Sequence, residues 1–360
     1  MEEKKKGLTS KKSKRIVALI ALLSGLSTAT IFAAKEIYDS CFLRYEKKEL
    51  HTVYGEFDYS RVEHKLDRQL FNFYSDKVKL QGYFYPAEKT KGVVVVSHGM
   101  HSGADDYLPF ISYFVQNNYS VFAYDCKGTY ASEGDATVGM ITPLVDLDHA
   151  LNFIENDSYL SKQPLFLFGH SWGGYAATSV LALHSNIKAC AAVAPFNSGY
   201  TLICEKGEQY AGPLAGGPPK AFLDIYQKIL FKDYTKYNGV KGINSTDIPV
   251  LIAHGNRDSV ISFNGQSVIS HREEIRKENV FYYVGTDEQA GHNTILHSKR
   301  AVAYQEKVKA ELKALKKEKD RNLTKEELTA FCEGVDHTLY SEVNEDLMGE
   351  ILNMFNNALK

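Results

Sequence analysis

Pro164-Leu165-Phe166-Leu167-Phe168 runs straight into Gly169-His170-Ser171-Trp172-Gly173-Gly174, and a helical pattern follows at once. Apolar residues in a row without alternation read as a strand buried on both faces. A G-x-S-x-G step behind such a strand is a turn so tight that positions 169 and 173 tolerate little side chain. Its strain holds the Ser171 hydroxyl clear of the sheet, above the N-terminus of the next helix. There the Trp172 N–H and the helix dipole favour negative charge. A glycine-rich turn with an incidental serine is the bland alternative, and the strand before it and the helix after it argue against that.

Outward from this turn the chain alternates strands with helices. Gly92-Val93-Val94-Val95-Val96-Ser97, Tyr119 to Tyr124, Ile187 to Ala194, Pro249 to Ala253 and Asn279 to Val284 are short β-rich runs. Thr142 to Ile154 and Gly173 to His184 are helical. The alternation predicts an α/β fold, a mostly parallel central sheet with helices on both faces. Arg68 to Tyr74 and Val78 to Tyr85 form a hairpin around Ser75-Asp76-Lys77. Residues 197–248 break the rhythm, since a strand connection is normally a few residues. With a Gly/Pro cluster at 212–219 and a helical run from Lys220 to Phe231, they read as a small helical cap insertion. Residues 301–360 read as a helical C-terminal extension, with Thr324 and Glu327 as a capping box.

A serine alcohol needs a base, and the base needs an orienting acid. In the order Ser, Asp, His, each should lie in a loop behind a later strand. Asp258 follows the run Pro249 to Ala253 within His254-Gly255-Asn256-Arg257-Asp258, and His292 follows Asn279 to Val284 after Gly291. Alone, each is an ordinary loop residue; in this order they make a triad with Ser171. Asp287 and His297 are the nearest rivals and lie less well relative to strand and glycine. Val93 to Val96 leads into Ser97-His98-Gly99-Met100. The Met100 N–H is the candidate partner of the Trp172 N–H in an oxyanion hole, with His98 and Gly99 shaping the loop.

His98-Gly99-Met100, the stretch Asp125 to Gly134, Gly169 to Gly174, His254 to Asp258 and Gly291-His292 together resemble the monoglyceride-lipase and serine-aminopeptidase branch of the α/β hydrolases, over residues 68–300. The resemblance implies the α/β-hydrolase fold, Ser171, Asp258 and His292 as catalytic triad, and Met100 and Trp172 as oxyanion donors. Lys127 and Tyr130 stand where that branch usually has Arg and Gly, which blurs the subfamily and the substrate. The expected reaction is acyl transfer to water, without metal or organic cofactor, on a small-molecule or lipid acyl ester. A peptidase is the alternative, with Glu205, Glu208 or Asp224 of the cap holding the substrate's α-amine. A non-catalytic binding protein of this fold is the third reading, and the complete triad disfavours it.

With 44 % hydrophobic and 24 % charged residues, the 360-residue chain is ordinary for a globular protein. The net charge of −2 gives no reason to expect a nucleic-acid partner. Five scattered cysteines without a C-x-x-C pair suggest neither a disulfide framework nor a metal site. Residues 1–15 are strongly basic, and the uncharged run Ile16 to Ala34 spans about 28 Å as a helix, close to the thickness of a bilayer core. We expect an N-terminal membrane-spanning helix that keeps residues 1–15 inside and the catalytic domain outside. A signal peptide cleaved near Ser27-Thr28-Ala29 is the alternative. Residues 35–67 then form a connector.

Overall fold

Val93–Ser97 (β3) and Leu165–His170 (β5) are buried along their whole length. They lie side by side in parallel register, Ser97 opposite Gly169, and so bring two loop starts to one end of the sheet. The computed structural model containing them describes residues 28–29, 31–212 and 217–360. Most of the run Ile16 to Ala34, and residues 213–216 of the Gly/Pro cluster, lie outside the described residues. Among those described, no helix is long and apolar enough to cross a membrane. Residues 31–40 form helix α1.

Gln69–Ser75 (β1), Val78–Tyr85 (β2), Ser120–Tyr124 (β4), Ile187–Val193 (β6), Val250–Gly255 (β7) and Val280–Gly285 (β8) complete one eight-stranded sheet. Its order is β1-β2-β4-β3-β5-β6-β7-β8. β2 pairs antiparallel with β1 and β4, and every other pairing is parallel. The β-rich runs differ in cover. β8 is an edge strand whose faces are incompletely covered: Phe281, Tyr282 and Val284 are exposed where the sequence pattern suggests a strand buried on both faces.

One face of the sheet is covered by Leu108–Gln116 (α2), the other by Thr142–Asn156 (α3) and Trp172–Ser179 (α4). The expected cap consists of Gly199–Ala211 (α5), Pro218–Phe231 (α6) and Gly239–Asn244 (α7). Leu202 and Phe231 carry it into the same apolar cluster as α3 and α4. Behind β8 come Lys299–Lys319 (α8), Lys325–Glu333 (α9), His337–Ser341 (α10) and Glu345–Asn357 (α11). Thr324 and Glu327 cap α9 reciprocally. Leu347, Met348, Ile351 and Phe355 of α11 are fully buried beside α2, against Phe166 and Phe168 of β5. The last helix is therefore part of the sheet's own core, and residue 300 does not separate two cores.

Candidate active site

The turn after β5 works as its glycines require. A Cβ at Gly169 would overlap the Gly173 carbonyl, and one at Gly173 would overlap the carbonyl of Ser97 on β3. Ser171 between them has φ 56° and ψ −114°, a conformation that L residues seldom adopt and that costs about 1–3 kcal/mol. Its N–H donates to the Val193 carbonyl at 2.8 Å and its own carbonyl accepts from Tyr175 at 3.0 Å, so both neighbours hold the strained residue in place.

The Ser171 hydroxyl donates to His292 Nε2 at 2.8 Å, and His292 Nδ1–H donates to Asp258 Oδ2 at 2.7 Å. The loops that carry this pair are packed on one another. Arg257 N–H donates to the Ala290 carbonyl, and a Cβ at Gly255 would strike that same carbonyl. Asp258 Oδ1 accepts from the N–H groups of Val260 and Ile261 at 2.8 and 2.9 Å, leaving Oδ2 to the imidazole. Burial alone would raise the Asp258 carboxyl. Hydrogen bonds from His254, His292 and the Ile261 N–H outweigh it and hold the group well below the usual carboxylate range.

Gly99 lies against Ser171, close enough that a Cβ there would be 3.6 Å from the serine Cβ. The N–H groups of Met100 and of Trp172, the first residue of α4, have no acceptor among the described residues. His98 is fully buried; its Nδ1–H donates to the Gly99 carbonyl at 2.7 Å and its Nε2 accepts the Cys126 N–H at 2.9 Å. Burial lowers its pKa to about 4, so the ring is a neutral brace for the loop. The rivals stand apart from the group. His297 is buried among Phe57 and Phe110, and the Asp287 carbonyl accepts from Arg257. Of the cap acids, Glu208 pairs with Lys220 and Asp224 with Lys228, whereas Glu205 Oε1 is buried without a partner.

Three residues that the sequence reading left out tie the site together. Gly99 N–H donates to the Tyr107 hydroxyl at 2.8 Å, and that hydroxyl donates to His170 Nδ1 at 2.8 Å. His170 Nε2–H then donates to the backbone carbonyl of His292 at 3.2 Å. The Tyr107 hydroxyl can donate to Nδ1 only while His170 is neutral. Burial, with the nearby His292 ring, depresses its pKa to about 3. His254, also fully buried, shares its Nε2–H between the Ile261 carbonyl at 2.9 Å and Asp258 Oδ2 at 3.2 Å. The histidine within G-x-S-x-G and the one opening the loop after β7 were visible as residue types, but their partners are remote in the chain.

Residues 88–214 match the family model described as serine aminopeptidase, S33. The uncharacterized protein YfhR of Escherichia coli is 27 % identical over 193 residues, 52 % of this chain and 61 % of that protein. This chain thus spans about three fifths of the length of that relative. The polyketide transferase grgF of Penicillium sp. is 24 % identical over 123 residues, covering 33 % of this chain and 42 % of the transferase. Among solved structures, the Pyrococcus furiosus esterase Pf2001 superposes with a TM-score of 0.52 at 19 % identity, covering 74 % of this chain and 97 % of the esterase. The chain has the α/β-hydrolase fold and resembles the S33 serine-aminopeptidase branch of that superfamily.

Proposed function

We propose that this protein is a serine hydrolase that cleaves acyl esters. The observation that carries the reading is the unbroken chain from Ser171 through His292 to Asp258, with both links at hydrogen-bonding distance. Ser171 Oγ attacks the ester carbonyl while His292 Nε2 takes its proton. Negative charge on the carbonyl oxygen is met by the N–H groups of Met100 and Trp172. His292 returns the proton to the leaving alcohol as the C–O bond breaks. Water, deprotonated by the same imidazole, then releases the acid and restores Ser171. Asp258, held ionised, stabilises the imidazolium in both halves of the reaction.

An ester with an acyl chain is the substrate we favour, because the residues about the cap and Trp172 are apolar: Leu202 and Phe231 join Trp172 in one cluster, and Met100 and Met140 pack against it. A second reading, a peptidase that takes a free amino terminus, is favoured by one observation, the unpartnered buried Glu205 Oε1 on α5. A fluorophosphonate probe should label the wild type and leave Ser171→Ala unlabelled; labelling of that variant would sink the assignment. Hydrolysis of p-nitrophenyl esters but not of aminoacyl-nitroanilides separates the first reading from the second.

We also propose that the run Ile16 to Ala34 tethers the enzyme to a membrane, with the catalytic domain on the outer side. Fractionation followed by protease treatment of intact cells should find the chain with the membranes and degraded from outside. Recovery in the soluble fraction or full protection would overturn that topology.

A further inference from the structure

Four side-chain amides are buried among the described residues: those of Asn197, Gln227, Gln289 and Asn344. Three of them are used by the fold. Asn197 Oδ1 accepts the Val240 N–H, Gln289 Nε2–H donates to the His297 carbonyl, and Asn344 donates to the Ile295 carbonyl and accepts from Leu347. Gln227 differs. It is 2 % exposed, and neither its Oε1 nor its Nε2 has a hydrogen-bond partner. An amide buried with both ends unsatisfied destabilises the folded protein, and such costs persist where function relieves them.

Its position says what could relieve it. Phe231 shares its face of α6 one turn on, in the apolar cluster that also holds Trp172. The Phe231 ring closes on Gly139, and the carbonyl of the following Met140 accepts the Trp172 indole N–H at 2.9 Å. Met100, the candidate oxyanion donor, packs against this cluster as well. The buried face of α6 thus closes over the loop that braces the residue next to Ser171. The amide carries no charge to offset desolvation of an ion, but it can both give and take a hydrogen bond.

We propose that Gln227 is the recognition group of a substrate subsite beneath the cap, and that this subsite takes a neutral hydroxyl of the ester. The hydroxyl donates to Oε1 or accepts from Nε2, and esters lacking it leave the amide unpaired. The proposal rests on the ester-hydrolase reading of the site. Hydroxyls on the acyl chain and on the alcohol share this chemistry, so three esters tell them apart: ethyl hexanoate, ethyl 6-hydroxyhexanoate and 1-monohexanoylglycerol. Wild type should favour one hydroxylated ester over ethyl hexanoate by roughly tenfold or more in kcat/KM. In Gln227→Met that ratio should fall close to one, while Tm holds or rises because the fold loses no hydrogen bond. A wild type without preference, a preference that survives in the variant, or a variant whose Tm drops by several degrees would each overturn the proposal. Labelling by fluorophosphonate in the wild type keeps the two levels apart. No labelling removes the ester reading and this subsite with it, whereas labelling without preference removes the subsite alone.

Discussion

Ser171 is gripped from two directions, and the residue before it does much of the gripping. His170 joins the loop of Gly99 to the loop of His292 through Tyr107, so the candidate oxyanion donors and the proposed general base are linked by one chain of hydrogen bonds. Tyr107→Phe removes the acceptor of the Gly99 N–H and the donor to His170 together. We expect kcat to fall roughly ten- to a hundredfold with KM little changed, since loosened donors weaken the transition state more than ground-state binding. Affinity for a boronic acid that mimics the tetrahedral intermediate should fall in step with kcat; unchanged affinity would reduce Tyr107 to a packing residue. The glycines at 169 and 173 were legible in the sequence because sterics at a turn is a local matter. Asp258 and His292 stood out in the sequence by chain order, each in a loop behind a later strand, and the structure brings both to Ser171. Tyr107, His170 and His254 were not, since their roles depend on which loops touch, and periodicity carries no record of that.

At the scale of elements, one polar cluster joins the helices beneath the cap. His184, just beyond α4, bridges Asp148 and Glu155 of α3 at 2.7 and 2.8 Å, and Tyr234 behind α6 donates to the same Asp148. Burial by itself would lower the His184 pKa, but hydrogen bonds to Asp148 and Glu155 raise it above 6.5. The folded state then holds the proton more tightly than the unfolded chain does. Its stabilisation is complete below pH 6.5 and is lost as pH climbs through the raised value. In Tm measured against pH, His184→Gln should lack that part of the decline above 6.5, and parallel curves for the two proteins would refute the link. The cap was legible as an inserted helical segment, with α6 foreseen from Lys220 to Phe231, but not what it covers, because apolar spacing marks a helix without naming its partner. The exposed aromatics of β8 show the same limit from the other side, since a β-rich run reads alike at an edge and in the middle.

For the whole molecule, two apolar clusters clasp the sheet, and the second is completed by α11. Phe355 meets Phe114, Tyr119 and Phe166, its ring 4.7 Å from that of Phe166. Phe355→Ala should cost about 3–5 kcal/mol in urea unfolding, and a loss below 1 kcal/mol would show that the helix merely rests on the surface. The alternation of strands and helices made this architecture readable from one chain, while the assignment of α11 to the core needed the fold, because its apolar stripe names no partner. The order of the strands has a consequence for descent. β6 separates the serine strand from the aspartate strand, and the segment bearing α5, α6 and α7 leaves from β6 and returns to β7. Insertions, deletions and point changes can accumulate there while the strands under Ser171, Asp258 and His292 stay in register. A change confined to that segment would therefore alter what covers Ser171 while leaving untouched the strands and loops on which the proposed chemistry depends.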